Sequence, residues 1–355
     1  LLRLPALLAL AASLTTQGEV PAGHLQPFGS WRPGRQVKQW TTLPTPREFF
    51  DHCNSDNGHS EPVLMKGAAL GMAAMKWDSD EYLLEKFGKA KVQKVEYNLK
   101  ETRSGGDVQN MRTMEQFLAK YNSSDIYMVA EVPKPMQADV AFLPFMRCGG
   151  FTKFLDSNSI WFGRGGSKSV VHYDDQDNIN CMFHGTKRFI FMHPKYKKRF
   201  EAHPNTPKNK FGWVDTDLDR TLPGYGAFMG KIDVDKVDLI KYPGWKDVEW
   251  SEANMEPGDC IYIPYQWYHQ VTAQPTRSIN AHVWYWRPKE FLERGCKLIA
   301  ERGTDEDTIF FANCTWGYEP NGGHFGKVEE NRKQQTMCKR RSTRNERRGA
   351  ARSEL

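Results

Sequence analysis

Cysteine is scarce in this 355-residue chain: there are seven, and no two form a Cys-x-x-Cys pair. That is too few for a scaffold built on disulfides, and the odd number leaves at least one without a partner in its own chain. Cys181 and Cys260 lie in apolar, strand-like runs and read as buried small hydrophobes, so the cysteines receive no chemistry. No internal repeat is found, and the apolar run Leu4–Leu14 is too short to span a bilayer. Net charge is also missing from the body of the chain. The stretch Lys327–Leu355 holds ten Lys/Arg against four Glu and accounts for the whole net charge of +6. The rest is close to neutral, which removes the hint of nucleic acid. What remains, 12% aromatics with 11 Trp and a low mean hydropathy, describes a soluble globular protein able to bury a substantial core.

Residues 1–18 combine one Arg, the apolar run and small residues near 16–18, the pattern of a secretory signal peptide. Two sequons, Asn122-Ser123-Ser124 and Asn313-Cys314-Thr315, fit a lumenal or secreted glycoprotein. Arg352-Ser353-Glu354-Leu355 ends like a weak endoplasmic-reticulum retrieval signal. The expected location is the secretory pathway, with the nucleus as the alternative. The basic tail, 327–355, has almost no apolar residues to offset its ordering entropy and reads as disordered: a nuclear signal, a polyanion-binding arm or a solubilising end.

Residues 19–124 read as a mixed α/β flank. "DEYLLEKFGKA" and "TMEQFLAKY" space apolar residues at helical intervals, while "AKVQKVEYNL" alternates like a strand. From about 125 to 288 short apolar runs punctuated by Gly, Pro and Asp dominate, the signature of a mainly β barrel or sandwich, interrupted by a polar surface insert at 203–236. Residues 289–326 form a C-terminal helical segment. In "PKEFLERGCKLIAER" the stripe Phe291, Leu292, Leu298 and Ile299 packs on its own domain or, on the sharper reading, joins a homodimer.

The stretch "SKSVVHYDDQDNINCMFHGTKRFIFM", Ser167–Met192, reads as two strands of an interior sheet joined by a turn at Gly185-Thr186. One face is wrong for a core. His172 and Asp174 point the same way, and Lys187 opens the returning strand among apolar residues. Buried Asp and Lys are costly unless paired or bound to a metal. A second stretch, "EPGDCIYIPYQWYHQV", brings His269 into a further strand. Two imidazoles and a carboxylate on one side of an ion leave its other positions open, the arrangement of non-haem Fe(II) oxygenases. Zinc accepts the same ligands, but its hydrolases need a nearby general base. Lys187 is ill suited to that role and well suited to the far carboxylate of an anionic cosubstrate.

Here the sequence resembles the jumonji-C branch of the cupin superfamily, the Fe(II)- and 2-oxoglutarate-dependent oxygenases. The first motif is Gly166, five residues, His172-Tyr173-Asp174, then Asn178 and Gly185; the second is Gly258, five residues, Pro264, one residue, Gln266, two residues, His269. Gln266 stands where the motif has Gly. The likeness, covering roughly Tyr127–Trp286, is nearest to hydroxylases similar to the asparaginyl hydroxylase that inhibits hypoxia-inducible factor. It implies a double-stranded β-helix (jelly-roll, cupin) core with flanking α-helices. It further implies Fe(II) on His172, Asp174 and His269, with 2-oxoglutarate gripped by Lys187, Ser169 and Tyr127 and flanked by Asn178. Dioxygen completes the reaction, which hydroxylates an amino-acid side chain of a protein substrate and releases succinate and carbon dioxide. Asn280 and His282 in "SINAHVWYW" compete for one further site position, while Trp267, Tyr268, Trp284, Tyr285 and Trp286 read as core and rim. The rivals are a nuclear lysyl demethylase of the same family, a non-catalytic lumenal cupin that only binds a partner, and a zinc cupin.

Overall fold

Strand alternation decides which residues this chain turns toward each face of a sheet. The computed structural model describes residues 20–58, 60–97, 111–200, 213–214, 229–230, 232–293, 296, 308–314 and 316–317. Its strands are β1 (Arg35–Gln36), β2 (Lys38–Trp40), β3 (Val63–Met65), β4 (Val95–Tyr97), β5 (Ile126–Ala130), β6 (Leu155–Gly163), β7 (Asp177–His184), β8 (Lys187–Met192), β9 (Trp213–Val214), β10 (Met229–Gly230), β11 (Ser251–Met255), β12 (Cys260–Ile263), β13 (Tyr268–Ala273) and β14 (Ser278–Tyr285). The result is a mixed α/β fold built on two sheets. The larger runs β2-β3-β12-β7-β14-β6-β5-β4 and the smaller β1-β11-β8-β13, with β9 and β10 as a separate pair. Bridges Lys168↔Thr272 and His172↔His269 attach the stretch 168–172 to β13. The expected N-terminal flank contributes β1–β4 to these sheets.

On β7, Ile179, Cys181 and Phe183 face the outer core, and so do Ile279, Ala281, Val283 and Tyr285 on β14. The helices α1 (Pro46–Cys53), α2 (Asp80–Phe87) and α3 (Met114–Leu118) cover that side with Phe49, Leu83, Phe87 and Phe117. Thr45, Ser79 and Thr113 cap these helices, and Glu48 and Gln116 complete two capping boxes. α2, α3 and β4 lie in or beside segments where the sequence periodicity predicts helix and strand, whereas α1 falls in a part of the flank for which no helix is predicted. Between the sheets, Leu64, Met182, Ile261 and Ile263 of the larger meet Phe189, Phe191, Ala253 and Met255 of the smaller. Lys187 shares the face of Phe189 and Phe191, so its ammonium is delivered between the sheets.

Two expectations are corrected. β7 and β8 are not partners in one sheet: β7 pairs with β12 and β14, and β8 with β11 and β13. The chain therefore changes sheets at Gly185-Thr186. Gly185 has φ +76°, and a Cβ there would lie 2.2 Å from the Arg277 carbonyl, so the β13–β14 turn packs directly on it. Cys181 and Cys260 are not isolated hydrophobes either. They stand opposite each other on β7 and β12 and form a disulfide, as do Cys148 and Cys296, while Cys53 is free and buried. Residues 1–18, the tail 327–355 and most of 203–236 and of the C-terminal segment lie outside the described residues. Of the apolar stripe, Phe291 packs on Phe50 and Arg47, and Leu292 bonds to Gly149, all within the chain.

Asp177, fully buried at the head of β7, is clamped by Arg287 through two 2.7 Å bonds, and Arg287 also donates to the Gly58 carbonyl. Arg287→Met leaves that carboxylate buried without its cation, and the expected loss is roughly 3–5 kcal/mol of unfolding free energy in urea titrations.

Candidate metal centre

His172 and Asp174 lie in an extended stretch before β7 rather than in a regular strand, and His269 is the second residue of β13. One backbone pair joins them: the His172 N–H donates to the His269 carbonyl at 3.0 Å, and the His269 N–H to the His172 carbonyl at 2.7 Å. The imidazole centroids are consequently 4.3 Å apart. Each ring places Nδ1 against the carbonyl two residues earlier, His172 on Val170 at 2.8 Å and His269 on Trp267 at 2.9 Å. A carbonyl only accepts, so both rings carry a proton on Nδ1, which makes Nε2 the nitrogen available to a metal. Potential ligand atoms of His172, Asp174 and His269 all lie within 4.8 Å of one another, the sole such His/Cys/Asp/Glu group among the described residues. Two imidazoles and one carboxylate fit a divalent iron held on one side, the 2-His-1-carboxylate site of the Fe(II)/2-oxoglutarate oxygenase superfamily.

The turn that delivers His269 is tied to the carboxylate's own residue. The Gln266 N–H donates to the Asp174 carbonyl at 3.0 Å. Gln266, in place of the motif glycine, keeps the left-handed conformation at φ +61°, so the turn is preserved at a cost in backbone strain. The Asp174 side chain accepts from Trp284 Nε1 at 3.1 Å and from Asn178 Nδ2 at 3.4 Å. Burial disfavours its charge, but His269, His172, Trp284 and Asn178 outweigh that and hold its pKa below the usual carboxylate value.

Further between the sheets, Lys187 is buried and donates to Asn280 Oδ1, with the Trp161 ring 5.6 Å away. Among the described residues no carboxylate lies within ion-pair distance of it, and burial pushes its pKa down to about 7. Asn280 donates in turn to Asn180 Oδ1 at 3.0 Å, while His282 meets Asn178 at 3.1 Å. Burial, and then repulsion from Lys187, hold the His282 pKa well below its usual value, so that ring is neutral. Tyr127 and Lys187 line one recess together with Trp161, Ser167 and Ser278. Ser169 is not part of it; its Oγ accepts from the Val271 N–H at 2.9 Å and keeps its own proton to donate. Trp284 and Asn180 are missing from the sequence-based site, whereas Asn280 and His282, which compete there for one position, are both present in it. The signal was the alternation Ser278, Asn280, His282, Trp284 along one strand face, against apolar residues on the other.

A family model described as a cupin-like domain matches residues 46–291. Among curated relatives, the Jumonji C domain-containing protein 5 of Drosophila melanogaster is 28% identical over 34% of this chain and 26% of its own length. The human bifunctional peptidase and (3S)-lysyl hydroxylase JMJD7 is 25% identical over 38% of this chain and 42% of its own. The lysine-specific demethylase JMJ30 of Arabidopsis thaliana is 26% identical over 37% and 26%. The chain thus spans less than half the length of each. These relatives overturn the secretory placement: the matches are Jumonji C proteins, several named lysine-specific demethylases, which argues against a lumenal route and favours the nuclear alternative. Disulfides are rare in that reducing compartment, so a free-thiol count on protein isolated without oxidation reads whether Cys181 and Cys260 are joined in the cell.

Three substitutions separate the parts of this centre. Asp174→Ala removes the anionic ligand, and Fe(II) or Mn(II) affinity should fall more than roughly 100-fold. Trp284→Phe removes only one of the two bonds that orient it and should cost about 10–100-fold. Gln266→Gly relieves the left-handed strain and should raise stability by about 1 kcal/mol with metal affinity unchanged. Metal titration calorimetry and thermal denaturation check all three.

Proposed function

Because this chain belongs to the cupin-like domain family, we propose that it is an Fe(II)- and 2-oxoglutarate-dependent oxygenase acting on lysine side chains of a protein, with removal of a lysyl N-methyl group as the first reading. The observation that carries the oxygenase reading is the convergence, between two sheets, of two Nδ1-protonated imidazoles, one carboxylate and a buried ammonium that has no anion beside it among the described residues. On this reading the two sheets close as a double-stranded β-helix, residues 125–288 are the oxygenase core, and 19–124 are its flank.

Iron with 2-oxoglutarate and dioxygen supplies, when bound, the oxidation of a C–H bond with release of succinate and carbon dioxide. His172, Asp174 and His269 hold the ion, and Trp284 with Asn178 fixes the carboxylate's orientation. Lys187 takes the far carboxylate of 2-oxoglutarate in a charge-assisted pair, with the Tyr127 phenol and Ser169 hydroxyl as further donors. Burial raises the Tyr127 pKa, so the phenol keeps the proton it would donate. His282 stays neutral and adds no charge between the two ends. Phe189, Phe191 and Trp267 keep water from the imidazole side.

Demethylation and hydroxylation are the same C–H oxidation on different carbons. On an N-methyl carbon the hydroxylated product releases formaldehyde; on a ring-free lysyl methylene the oxygen stays. Side-chain hydroxylation is the second reading, favoured by the relative named as a lysyl hydroxylase. Mass spectrometry of lysyl and N-methyl-lysyl peptides incubated with the enzyme decides between them: loss of a methyl group with formaldehyde, or gain of one oxygen. No succinate with any lysyl peptide would remove lysine as the substrate.

Lys187→Ala should leave metal affinity intact and weaken 2-oxoglutarate binding by about one to two powers of ten, measured by calorimetry on Mn(II)-loaded protein. The wild-type pH profile carries a sign. With its pKa lowered to about 7, Lys187 is mostly neutral above that pH in the ligand-free protein, and an anion binds its protonated form. Affinity should therefore fall as pH rises from 7 to 9, with net proton uptake on binding. Stability of the ligand-free protein should gain from this group over the same range, because the unfolded chain there binds the proton that the folded chain has given up.

A further inference from the structure

Asn178, Asn180 and Met182 alternate on the inter-sheet face of β7, and the register across to β14 sets them opposite Trp284, His282 and Asn280 in turn. The triad's Asp174 touches the Asn178/Trp284 step, and Lys187 touches Asn280. Asn180 therefore lies between the two ends of the site. The polarity of this row is not free. An ammonium only donates, so Asn280 must turn its oxygen to Lys187 and its NH2 to Asn180, and Asn180 must answer with its oxygen. What is left over is Asn180 Nδ2, fully buried and without a hydrogen-bond partner among the described residues. An unpaired buried donor is costly and marks a place where an acceptor arrives.

We propose that Asn180 is a further cosubstrate-contacting residue, donating to the anionic ligand between its two ends, and that Asn280 is a positioning residue that fixes both the Lys187 ammonium and the Asn180 amide. This rests on the oxygenase reading, with a dicarboxylate stretched from the triad to Lys187. Asn280 also stands in for the missing anion: its amide oxygen is the nearest thing to a counter-charge that Lys187 has before the ligand binds.

The test uses Mn(II)-loaded full-length protein and 2-oxoglutarate, with binding read by calorimetry and folding by thermal denaturation. Asn180→Asp keeps the shape but replaces the donor with an acceptor, and 2-oxoglutarate affinity should drop at least about tenfold with Mn(II) affinity unchanged. Asn180→Ala, which also lacks the donor, serves if the Asp variant does not fold. Asn280→Asp gives Lys187 an internal carboxylate, so the ligand-free protein should melt higher while 2-oxoglutarate binds at least tenfold more weakly. A merely structural Asn280 would lose stability instead. Wild-type-like 2-oxoglutarate affinity in both Asn180 variants, beside a clear loss in Lys187→Ala, overturns the role of Asn180 and leaves the oxygenase reading standing. Absence of 2-oxoglutarate binding by the wild type overturns the oxygenase reading, and the role of Asn180 with it.

Discussion

A buried ammonium that, among the described residues, has an amide oxygen and an aromatic face for company is the constraint around which the inter-sheet space is organised. Lys187 is carried there by strand alternation, in phase with Phe189 and Phe191. Burial lowers its pKa far enough that the ligand-free protein balances the charged and neutral forms near neutrality. Such a group is tolerated in a core only where something is to be bound, because replacing it with an apolar residue would be easier for stability alone. The neighbouring polar residues follow from it: Asn280 must present oxygen, Asn180 must present oxygen to Asn280, and His282 must be neutral.

The same space is divided in two along the strands. Where β12 and β8 face each other it is filled by Ile261, Ile263, Phe189 and Phe191; where β7 and β14 run side by side it is lined by Asn178, Asn180, Asn280, His282 and Trp284. The outer face of those same two strands is apolar apart from Asp177, which Arg287 clamps, and carries the helices. A strand that is apolar on one side and amide-rich on the other would ordinarily face water with its polar side. Here both sides are buried, so the polar side has to satisfy itself, and among the described residues Asn180 Nδ2 and Ser278 Oγ are left without partners there.

The clustering of His172, Asp174 and His269 and the burial of Lys187 were legible in the sequence because two short motifs fix their spacing, and because an Asp and a Lys among apolar residues demand partners. α2, α3 and β4 were legible through their periodicity, and the caps Ser79 and Thr113 sit where the two helical segments begin; α1 was not. Other features depend on register, which a single strand does not encode. Trp284 reads as core until β14 is laid beside β7 and its indole N–H reaches Asp174. Cys181 and Cys260 become partners only when β7 and β12 pair. The two-residue turn at Gly185-Thr186 looks like a hairpin, but the Arg277 carbonyl occupies the space beside Gly185 and the chain passes to the other sheet. The cellular location was misread because an apolar leader and sequons are short patterns that chance and other functions also produce.

How firmly the centre is assembled depends on two different controls. The imidazoles are set locally: each fixes its own tautomer on the carbonyl two residues before it, and their separation is fixed by one reciprocal backbone pair. The carboxylate is set from a distance. Asp174 is oriented by Trp284 and Asn178, which belong to the larger sheet, whereas His269 belongs to the smaller. Its position relative to the imidazoles therefore varies with the spacing of the two sheets, and that spacing is maintained by the interlocked side chains of Phe189, Phe191, Ile261 and Ile263. Truncating this apolar wedge would move the carboxylate while leaving both imidazoles in place, so the packing of residues that never touch a ligand is what makes three side chains into one metal site.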